Sequence, residues 1–209
     1  MKDGLVEEFH ENGKLSSKGN YKNGKNHGLR ESYDKDGQLR SKENWKDGKP
    51  EGLWEYYHEN GQLACSFNYK DRGFDGLCEH YHDNGQLRST GNYKDQKRDG
   101  LWEEFYDNGQ VKSRSNHKDG EWDGLWENYT YNGQFERKVK WKDGEKDGID
   151  ETYDDNGQLR SKLNWKRGII DGIQEYYDDN GLLSDIEKYK DEKLVEYWSY
   201  DENGNPIYW

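Results

Sequence analysis

The chain is short of the residues that usually build a hydrophobic core or a covalent framework. Hydrophobic residues make up 29% of its 209 residues, against roughly 45–50% in globular domains when glycine is counted. It has 2 cysteines and 2 prolines, and no stretch is apolar enough for a membrane span or a signal peptide. These shortages exclude a disulfide-built scaffold and membrane insertion, and bulk composition alone would indicate disorder.

Aromatic residues and glycines argue against disorder because they recur at fixed positions. Aromatic residues are 15% of the chain, with 9 Trp and 17 Tyr, and there are 25 glycines. Large rings bury much apolar area per residue. We therefore expect an ordered protein with a thin core made mostly of aromatic side chains.

The formal net charge of −12 limits the kinds of partner. Nucleic acids and anionic membrane surfaces require cationic partners, so both are disfavoured. A basic protein partner is compatible with this charge. The simpler interpretation is that the charge only keeps the protein soluble.

A 24-residue unit occurs eight times along the chain. In the first copy its fixed positions are Gly4, Glu7, Phe9, Leu15 and Tyr21, with an Asn-Gly pair between Phe9 and Leu15. The corresponding glycines of the other copies are residues 28, 52, 76, 100, 124, 148 and 172. Such a period is typical of repeat architectures, in which each copy is stabilised mainly by its neighbours.

Alternation of apolar and polar residues between turn signals predicts two strands per copy, at about 5–10 and 14–22 in the first copy. The predicted fold is all-β, an elongated antiparallel meander of eight hairpin repeats over residues 1–192. Residues 193–209 depart from the pattern, and Pro206 suits an edge strand. We interpret them as a C-terminal capping hairpin, in which the last hairpin is covered by Trp198, Tyr200, Tyr208 and Trp209.

The register of the hairpin decides which residues share a face. A three-residue loop with a left-handed Gly13 pairs Phe9 with Leu15, whereas a two-residue loop would separate them. The first choice predicts that Leu5, Phe9, Leu15 and Tyr21 lie on one buried face. It also places each recurring glutamate opposite the seventeenth residue of its own copy. In copy six this predicts an ion pair between Glu127 and Arg137.

The same register makes the remaining positions of the first strand an outward face. Aromatic residues and histidines concentrate there in copies three to six, and small residues Ala64 and Ser66 would leave a shallow trough between them. Exposed rings beside a trough are typical of binding hot spots. The alternative is that these rings only cover the second face of the sheet. The candidate partner-binding residues are Trp54, Tyr56, His58, His80, His82, Trp102, Tyr106 and Trp126.

Neither a metal site nor catalytic chemistry is predicted. His58, His80 and His82 share the outward face with Cys78, but no further ligand clearly completes a zinc site. The sequence has no nucleophile–base arrangement and no phosphate-binding loop. Cys65 and Cys78 are predicted to face opposite sides of the sheet, so a disulfide is not expected, which fits a reducing cytoplasm. We expect a non-enzymatic protein without cofactors.

The recurring pattern NGQLRSKxNYKDGKxDGLWxxYYDNG resembles the MORN-repeat variant found in bacterial proteins, from Gly4 to about Lys190. Many of these proteins are described as YwqK-type antitoxins or immunity proteins. The resemblance implies β-hairpin repeats that bind proteins, in some cases a toxin encoded nearby, and it implies no catalytic residues.

Together these features favour an antitoxin or immunity protein that neutralises a bacterial toxin by direct binding. The alternative is a cell-surface or secreted repeat protein that contacts host molecules or other proteins. The partner and the oligomeric state stay open at this point, although an unprotected first strand can pair with another molecule.

Overall fold

The computed structural model describes residues 3–70 and 73–207. All the regular secondary structure among these residues is β-strand. This confirms the predicted all-β antiparallel meander of hairpins. No helix in the described part of the chain has the length and hydropathy to cross a membrane. Tyr208 and Trp209, predicted to be part of the cap, lie outside the described residues.

The chain divides into two compact units. The first contains residues up to 99 together with 107–109, and the second contains residues 100–106 and those from 110 onward. The strands of the first unit are β1 (Gly4–Phe9), β2 (Leu15–Lys22), β3 (Lys25–Tyr33), β4 (Leu39–Lys46), β5 (Lys49–Tyr57), β6 (Leu63–Lys70), β7 (Gly73–Tyr81) and β8 (Leu87–Lys94). Strand β9 (Lys97–Phe105) begins in the first unit and continues in the second.

The remaining strands belong to the second unit. They are β10 (Val111–Lys118), β11 (Glu121–Tyr129), β12 (Phe135–Lys142), β13 (Glu145–Tyr153), β14 (Leu159–Lys166), β15 (Ile169–Ile170), β16 (Gly172–Tyr177), β17 (Leu183–Lys190), β18 (Lys193–Tyr200) and β19 (Pro206–Ile207). Within each unit, neighbouring strands pair antiparallel.

The turn inside each copy has the predicted loop. Phe9 pairs with Leu15, the His10 amide donates to the Lys14 carbonyl at 2.8 Å, and Gly13 has a φ of 79°. Glycine adopts this left-handed conformation without steric cost. The prediction of this turn is confirmed.

A β-bulge directly after the turn reverses the rest of the predicted faces. Glu8 pairs with Ser17 and Glu7 with Lys18, so Ser16 is the extra residue of the second strand. An extra residue shifts every later side chain of the strand to the opposite face. Tyr21 pairs with Gly4 and therefore lies on the side opposite Leu5. The prediction that Tyr21 shares a face with Leu5 and Phe9 is wrong.

The turn between copies is a two-residue loop that requires left-handed residues. Lys22 pairs with Lys25, and the loop residues Asn23 and Gly24 have φ values of 53° and 72°. Two positive φ angles define the type I′ turn, which matches the right-handed twist of the flanking strands. An Asp3 carboxylate oxygen accepts a hydrogen bond from the Asn23 amide at 2.7 Å and fixes this turn.

A second irregularity lies at the recurring loop glycine. Glu43 pairs with Trp54 and Trp45 with Pro50, so three residues of β5 oppose a single residue of β4. Gly52 within this bulge has a φ of 76°, and the Asn44 side-chain amide donates to the Leu53 carbonyl at 2.6 Å. The asparagine thereby replaces the hydrogen bonds that the ladder loses at the bulge.

The two sides of each unit differ in exposure. We call one side of each unit the aromatic face. In the first unit it is defined by Trp45, Trp54, Tyr56 and Phe67, and in the second by the equivalent positions. The buried hydrophobic side chains all lie on this face: Trp54, Cys78, Trp102 and Val139. The leucine face is the opposite side, defined by Leu53 and its equivalents in the other copies. Those aliphatic side chains are 42–63% exposed. The core therefore lies on the face that the sequence predicted to point outward.

The recurring glutamates lie on the leucine face, and Glu31, Glu55 and Glu175 form ion pairs with a lysine of the preceding copy, whereas Glu103 pairs with Arg114 of its own copy. Glu31 forms an ion pair with Lys18 at 2.7 Å and accepts a hydrogen bond from the Tyr33 hydroxyl at 3.0 Å. The hydrogen bond from Lys18 lowers the pKa of Glu31. Glu55 lies 3.7 Å from Lys42 in the same arrangement. The predicted donor, the seventeenth residue of the same copy, is wrong because the bulge moves it to the other face.

The same bulge overturns the predicted ion pair of copy six. Arg137 pairs with Asn128, whereas Glu127 pairs with Lys138. The Glu127 carboxylate accepts a hydrogen bond from the Tyr129 hydroxyl at 3.0 Å. Arg137 instead binds Asp150 on the aromatic face.

The C-terminal strands β18 and β19 form a short antiparallel hairpin. Pro206 lies in the two-residue strand β19 and pairs with Tyr200 at the end of β18. Residues 193–198 of β18 are exposed, and Trp198 retains 39% of its accessible surface.

Candidate functional site

The predicted binding residues fall into two structural groups. Trp54, Tyr56 and His80 lie on the aromatic face of the first unit, and Trp102 and Trp126 lie on the corresponding face of the second. The other predicted residues follow the first strand of their copy and lie in its turn. These are His58, His82 and Tyr106.

Trp54 and Trp102 are core residues, contrary to the expected exposure. They keep 8% and 6% of their accessible surface. The ring centroid of Trp54 lies 5.0 Å from that of Trp45 and 4.7 Å from that of Tyr69. Its indole N–H donates to the Asn44 carbonyl at 2.8 Å, which satisfies the one polar atom of the ring. These contacts stabilise the sheet and leave little ring surface for a partner.

The predicted trough does not form. Tyr56 pairs with Cys65, and Cys65 pairs with His80 on its other side. In the next row Phe67 lies between Trp54 and Cys78. Ala64 is the extra residue of the bulge, and Ser66 points to the leucine face beside Glu55 and Glu79. A large ring therefore fills the position where the sequence predicted a small side chain.

Phe67 is the centre of an aromatic cluster that sequence reasoning missed. Its centroid lies 5.2 Å from Phe74, 5.3 Å from His80 and 6.4 Å from Tyr56. Burial raises the pKa of Tyr56 to about 12. Burial and the nearby Arg88 and Arg98 lower the pKa of His80. Tyr56 and His80 are half-buried, so their outer edges remain at the surface of the aromatic face.

The turn residues connect one copy to the next. The His58 Nε2 atom lies 3.0 Å from the Tyr81 carbonyl oxygen, and its Nδ1 atom lies 3.0 Å from an Asp83 carboxylate oxygen. The Tyr106 hydroxyl donates to the Tyr129 carbonyl at 2.8 Å. In each case the contact reaches the equivalent turn region 23 residues later. The recurring distance is the signal that identifies these residues as structural links.

A tryptophan cluster in the second unit includes one predicted residue. Trp126 stacks on Trp122 at 6.4 Å with an interplanar angle of 26°, and Trp122 contacts Trp141 edge-on at 4.4 Å. Trp122 keeps 38% of its surface exposed. The prediction included Trp126 and missed Trp122, because Trp122 follows the turn between copies and not the recurring glycine.

Asp150 forms a buried charge cluster that the sequence did not reveal. It occupies the position of Trp54 and Trp102 in its copy and is fully buried. Two Arg137 nitrogens donate to its carboxylate at 2.8 and 2.7 Å, and the Lys146 ammonium donates at 2.8 Å. Burial opposes its ionisation, but the hydrogen bonds from both cations outweigh this effect and lower the pKa of Asp150. Lys146 also lies 4.3 Å from the Trp165 ring centroid.

The two cysteines lie on the same face, so their predicted opposite orientation is wrong. Cys65 pairs with His80, and Cys78 belongs to the same strand as His80, two residues earlier. Both are free thiols. Burial raises the pKa of Cys65 and raises that of Cys78 to about 11. Buried thiols of raised pKa are poor nucleophiles.

The histidines and cysteines do not assemble into a metal site in the structure. No group of three His, Cys, Asp or Glu side chains among residues 3–70 and 73–207 has a metal-binding arrangement. His58 instead contacts Tyr81 and Asp83.

The aliphatic row of the leucine face is a second candidate surface. One leucine or isoleucine occupies the same position in every copy, although each side chain remains at least 42% exposed. In the first unit the row consists of Leu5, Leu29, Leu53 and Leu77, and in the second of Leu101, Leu125, Ile149 and Ile173. Each of these side chains lies opposite an asparagine of the second strand of its copy in the first unit, as in Leu5 with Asn20 and Leu29 with Asn44, so the row alternates apolar and amide side chains. The alternation in the sequence predicted these residues to be buried, so no binding role was predicted for them.

Paired strands, inter-copy turns and a core confined to one face together define a tandem β-hairpin repeat protein. The chain belongs to the family described as MORN repeat variant. The family model matches residues 2–23, 26–47, 50–71, 74–95, 98–119 and 146–167, more than half of the chain. Copies six and eight, which contain Arg137 and Gln174 respectively, are not among the matched segments.

Comparison with curated proteins gives no match. Among solved structures, the crystal structure of TcdB2-TccC3 aligns with 94% of this chain at 12% sequence identity and a TM-score of 0.26. The chain spans 13% of the length of that structure. A TM-score at this level does not establish a shared fold.

Proposed function

We propose that this chain is a non-enzymatic protein-binding scaffold that acts as an antitoxin or immunity protein, by holding a bacterial toxin on its aromatic face. The supporting observation is the set of half-exposed rings on that face, which lie beside buried ones. Tyr56 and His80 present their edges in the first unit, and Trp122 and Trp126 in the second. Aromatic side chains backed by a packed layer are typical of interface hot spots.

The packing assigns different roles within the predicted binding set. Trp54 and Trp102 lie within the face and are buried by the side chains of neighbouring strands, so they hold the exposed rings beside them in place. His58, His82 and Tyr106 belong to the turns that border it. In the proposal, Tyr56, His80 and Trp126 contact the partner directly, and the other five position the surface.

A cytoplasmic location belongs to this proposal. Free thiols persist in a reducing compartment, and both Cys65 and Cys78 are free. The net charge of −12 favours association with a basic partner through long-range attraction.

The test begins with capture of a partner by the intact protein and by a Tyr56→Ser/Trp126→Gln variant. Other copies use serine and glutamine at these positions, as in Ser32 and Gln174, so the fold is expected to persist. An Asp155→Asn variant, altered in an exposed turn, is the matched control. The captured protein is then purified, its binding is measured by calorimetry, and it is expressed in cells with each variant.

The expected result is a captured protein that stops growth, and growth that is restored by the wild type and Asp155→Asn but not by the double variant. A captured protein that does not affect growth would overturn the antitoxin role. Equal rescue by the double variant would overturn the choice of face. Absence of any specific partner would overturn the scaffold function itself.

A further inference from the structure

The leucine face of the first unit combines its aliphatic row with a row of unpaired lysines. Asn20 pairs with Leu5 and Asn44 with Leu29, so these asparagines lie on the leucine face. Lys22 and Lys46 follow them by two residues on the same strands and therefore point to the same side. All of Lys22, Lys25, Lys46 and Lys49 are exposed. Within residues 3–70 and 73–207, none of these four lysines has an ion-pair partner.

The arrangement of these lysines is expected to lower the stability of the folded sheet. Lys22 lies directly opposite Lys25, and Lys46 directly opposite Lys49. Like charges in directly opposed positions destabilise a sheet.

The second unit provides a comparison within the same chain. Two of its equivalent pairs, Lys118 with Glu121 and Lys142 with Glu145, are of opposite charge, whereas Lys190 and Lys193 form a like-charged pair near its C-terminal end. The fold therefore accepts oppositely charged pairs at this position. In the first unit two like-charged pairs follow each other in consecutive copies, so four exposed lysines are brought together in a chain of net charge −12 and can bind an external anionic group.

We infer that the leucine face of the first unit binds an acidic amphipathic helix of a partner protein. The helix lies across the strands, with its apolar side on the aliphatic row of the first unit and its carboxylates on the lysine row. Charge complementarity and spacing both favour this occupant. Leucines on alternate strands are about 10 Å apart, and residues seven apart on a helix are separated by about 10.5 Å.

This surface is opposite the aromatic face, and the inference does not depend on the toxin-binding proposal. The distinguishing step is a defined probe. The probe is a fluorescent helical peptide with leucine at every seventh residue and glutamates flanking each leucine. One control peptide has serine for leucine, and another has lysine for glutamate.

The peptide is titrated with the full-length protein and its fluorescence anisotropy is measured. In the Lys22→Glu/Lys46→Glu variant, each like-charged pair becomes an oppositely charged one, so loss of binding does not come from unfolding. Leu29→Ser/Leu53→Ser removes exposed side chains from the row. Leu125→Ser/Ile149→Ser makes the same change in the second unit and is the matched control.

We expect saturable binding of the acidic peptide, weakened about tenfold by either first-unit variant and unchanged by the second-unit control. Neither control peptide should bind measurably, and added salt should weaken binding. No binding of the acidic peptide, or equal binding by all variants, would overturn the inference. Lysine-dependent binding to vesicles of anionic lipid without binding of the peptide would overturn the helical partner in favour of a membrane surface.

Discussion

The Asp150 carboxylate is held by two hydrogen bonds from Arg137, at 2.8 and 2.7 Å, in a position where it has no contact with solvent. Copies three and five bury a tryptophan at this position, Trp54 and Trp102. A buried charge is tolerated only when it is paired and hydrogen-bonded. Asp150 therefore depends on its two cations, and they depend on it.

We predict that Asp150→Asn destabilises the protein by about 3 kcal/mol, the lower end of the effect of breaking a buried ion pair, because Arg137 is partly exposed. The midpoint and slope of urea unfolding measure this change. Asp155→Asn, in an exposed turn nearby, should leave the midpoint unchanged. A variant as stable as the wild type would show that the cluster does not hold the second unit together.

His80 is predicted to make stability depend on pH. Burial and the nearby arginines lower the pKa of His80 in the folded state, so the unfolded chain binds a proton more readily. Stability is therefore complete above about pH 6.5 and decreases as the pH falls below that value. His80→Tyr, which places the residue of the equivalent position Tyr56 there, should remove this part of the dependence.

The measurement is the urea midpoint of both proteins at several pH values between neutral and mildly acidic. The other five histidines contribute to both curves and cancel in the difference. As the pH falls, the stability of the wild type should decrease relative to that of the variant. A difference that is constant across the range would contradict the assignment.

The bulge residue of copy three gives a more severe test of the register. Deletion of Ala64 removes the extra residue, so Cys65, Phe67 and Tyr69 would turn to the leucine face and Phe67 would leave its aromatic cluster. We expect loss of cooperative folding of the first unit, seen as loss of the near-ultraviolet circular dichroism of its aromatic rings. Ala64→Arg keeps the bulge and copies the residue at the same position in copies two and four, Arg40 and Arg88. It should fold normally, and failure of both variants alike would mean that the side chain and not the bulge is critical.

The bulge also explains what the sequence could and could not predict. The strands, the turn at Gly13 and the repeat follow from local signals, since glycine and alternating residues mark them in every copy. Alternation between Leu15 and Tyr21 looks continuous because the extra residue has no signature of its own: it is Ser16 in copy one, Arg40 in copy two and Ala64 in copy three. One residue then exchanges the two faces. The aromatic cluster of Phe67 and the exposure of Leu53 depend on that exchange and were not predictable from periodicity alone.

The Asp150 cluster was hidden for a different reason. Its members Arg137 and Lys146 are nine residues apart and occupy positions that hold Ser and an apolar or aromatic residue in several other copies. Only the observed pairing of β12 with β13 brings them to the same carboxylate. Their departure from the repeat pattern was the signal present in the sequence. Because the register was predicted without the bulge, Arg137 was placed on the wrong face and paired with Glu127.

The last turn between copies is predicted to store removable strain. Asp191 and Glu192 have φ values of 50° and 65°, and Glu192 occupies the position that holds glycine in most of the other turns. A side chain in the left-handed region costs about 1 kcal/mol relative to glycine. Glu192→Gly should therefore stabilise the end of the second unit by about 1 kcal/mol, and hydrogen exchange of the amides in β17 and β18 should slow.

The reciprocal variant Gly48→Glu, at the equivalent turn position with a φ of 80°, should destabilise the first unit by a similar amount. If both variants changed stability in the same direction, backbone conformation would not be the cause.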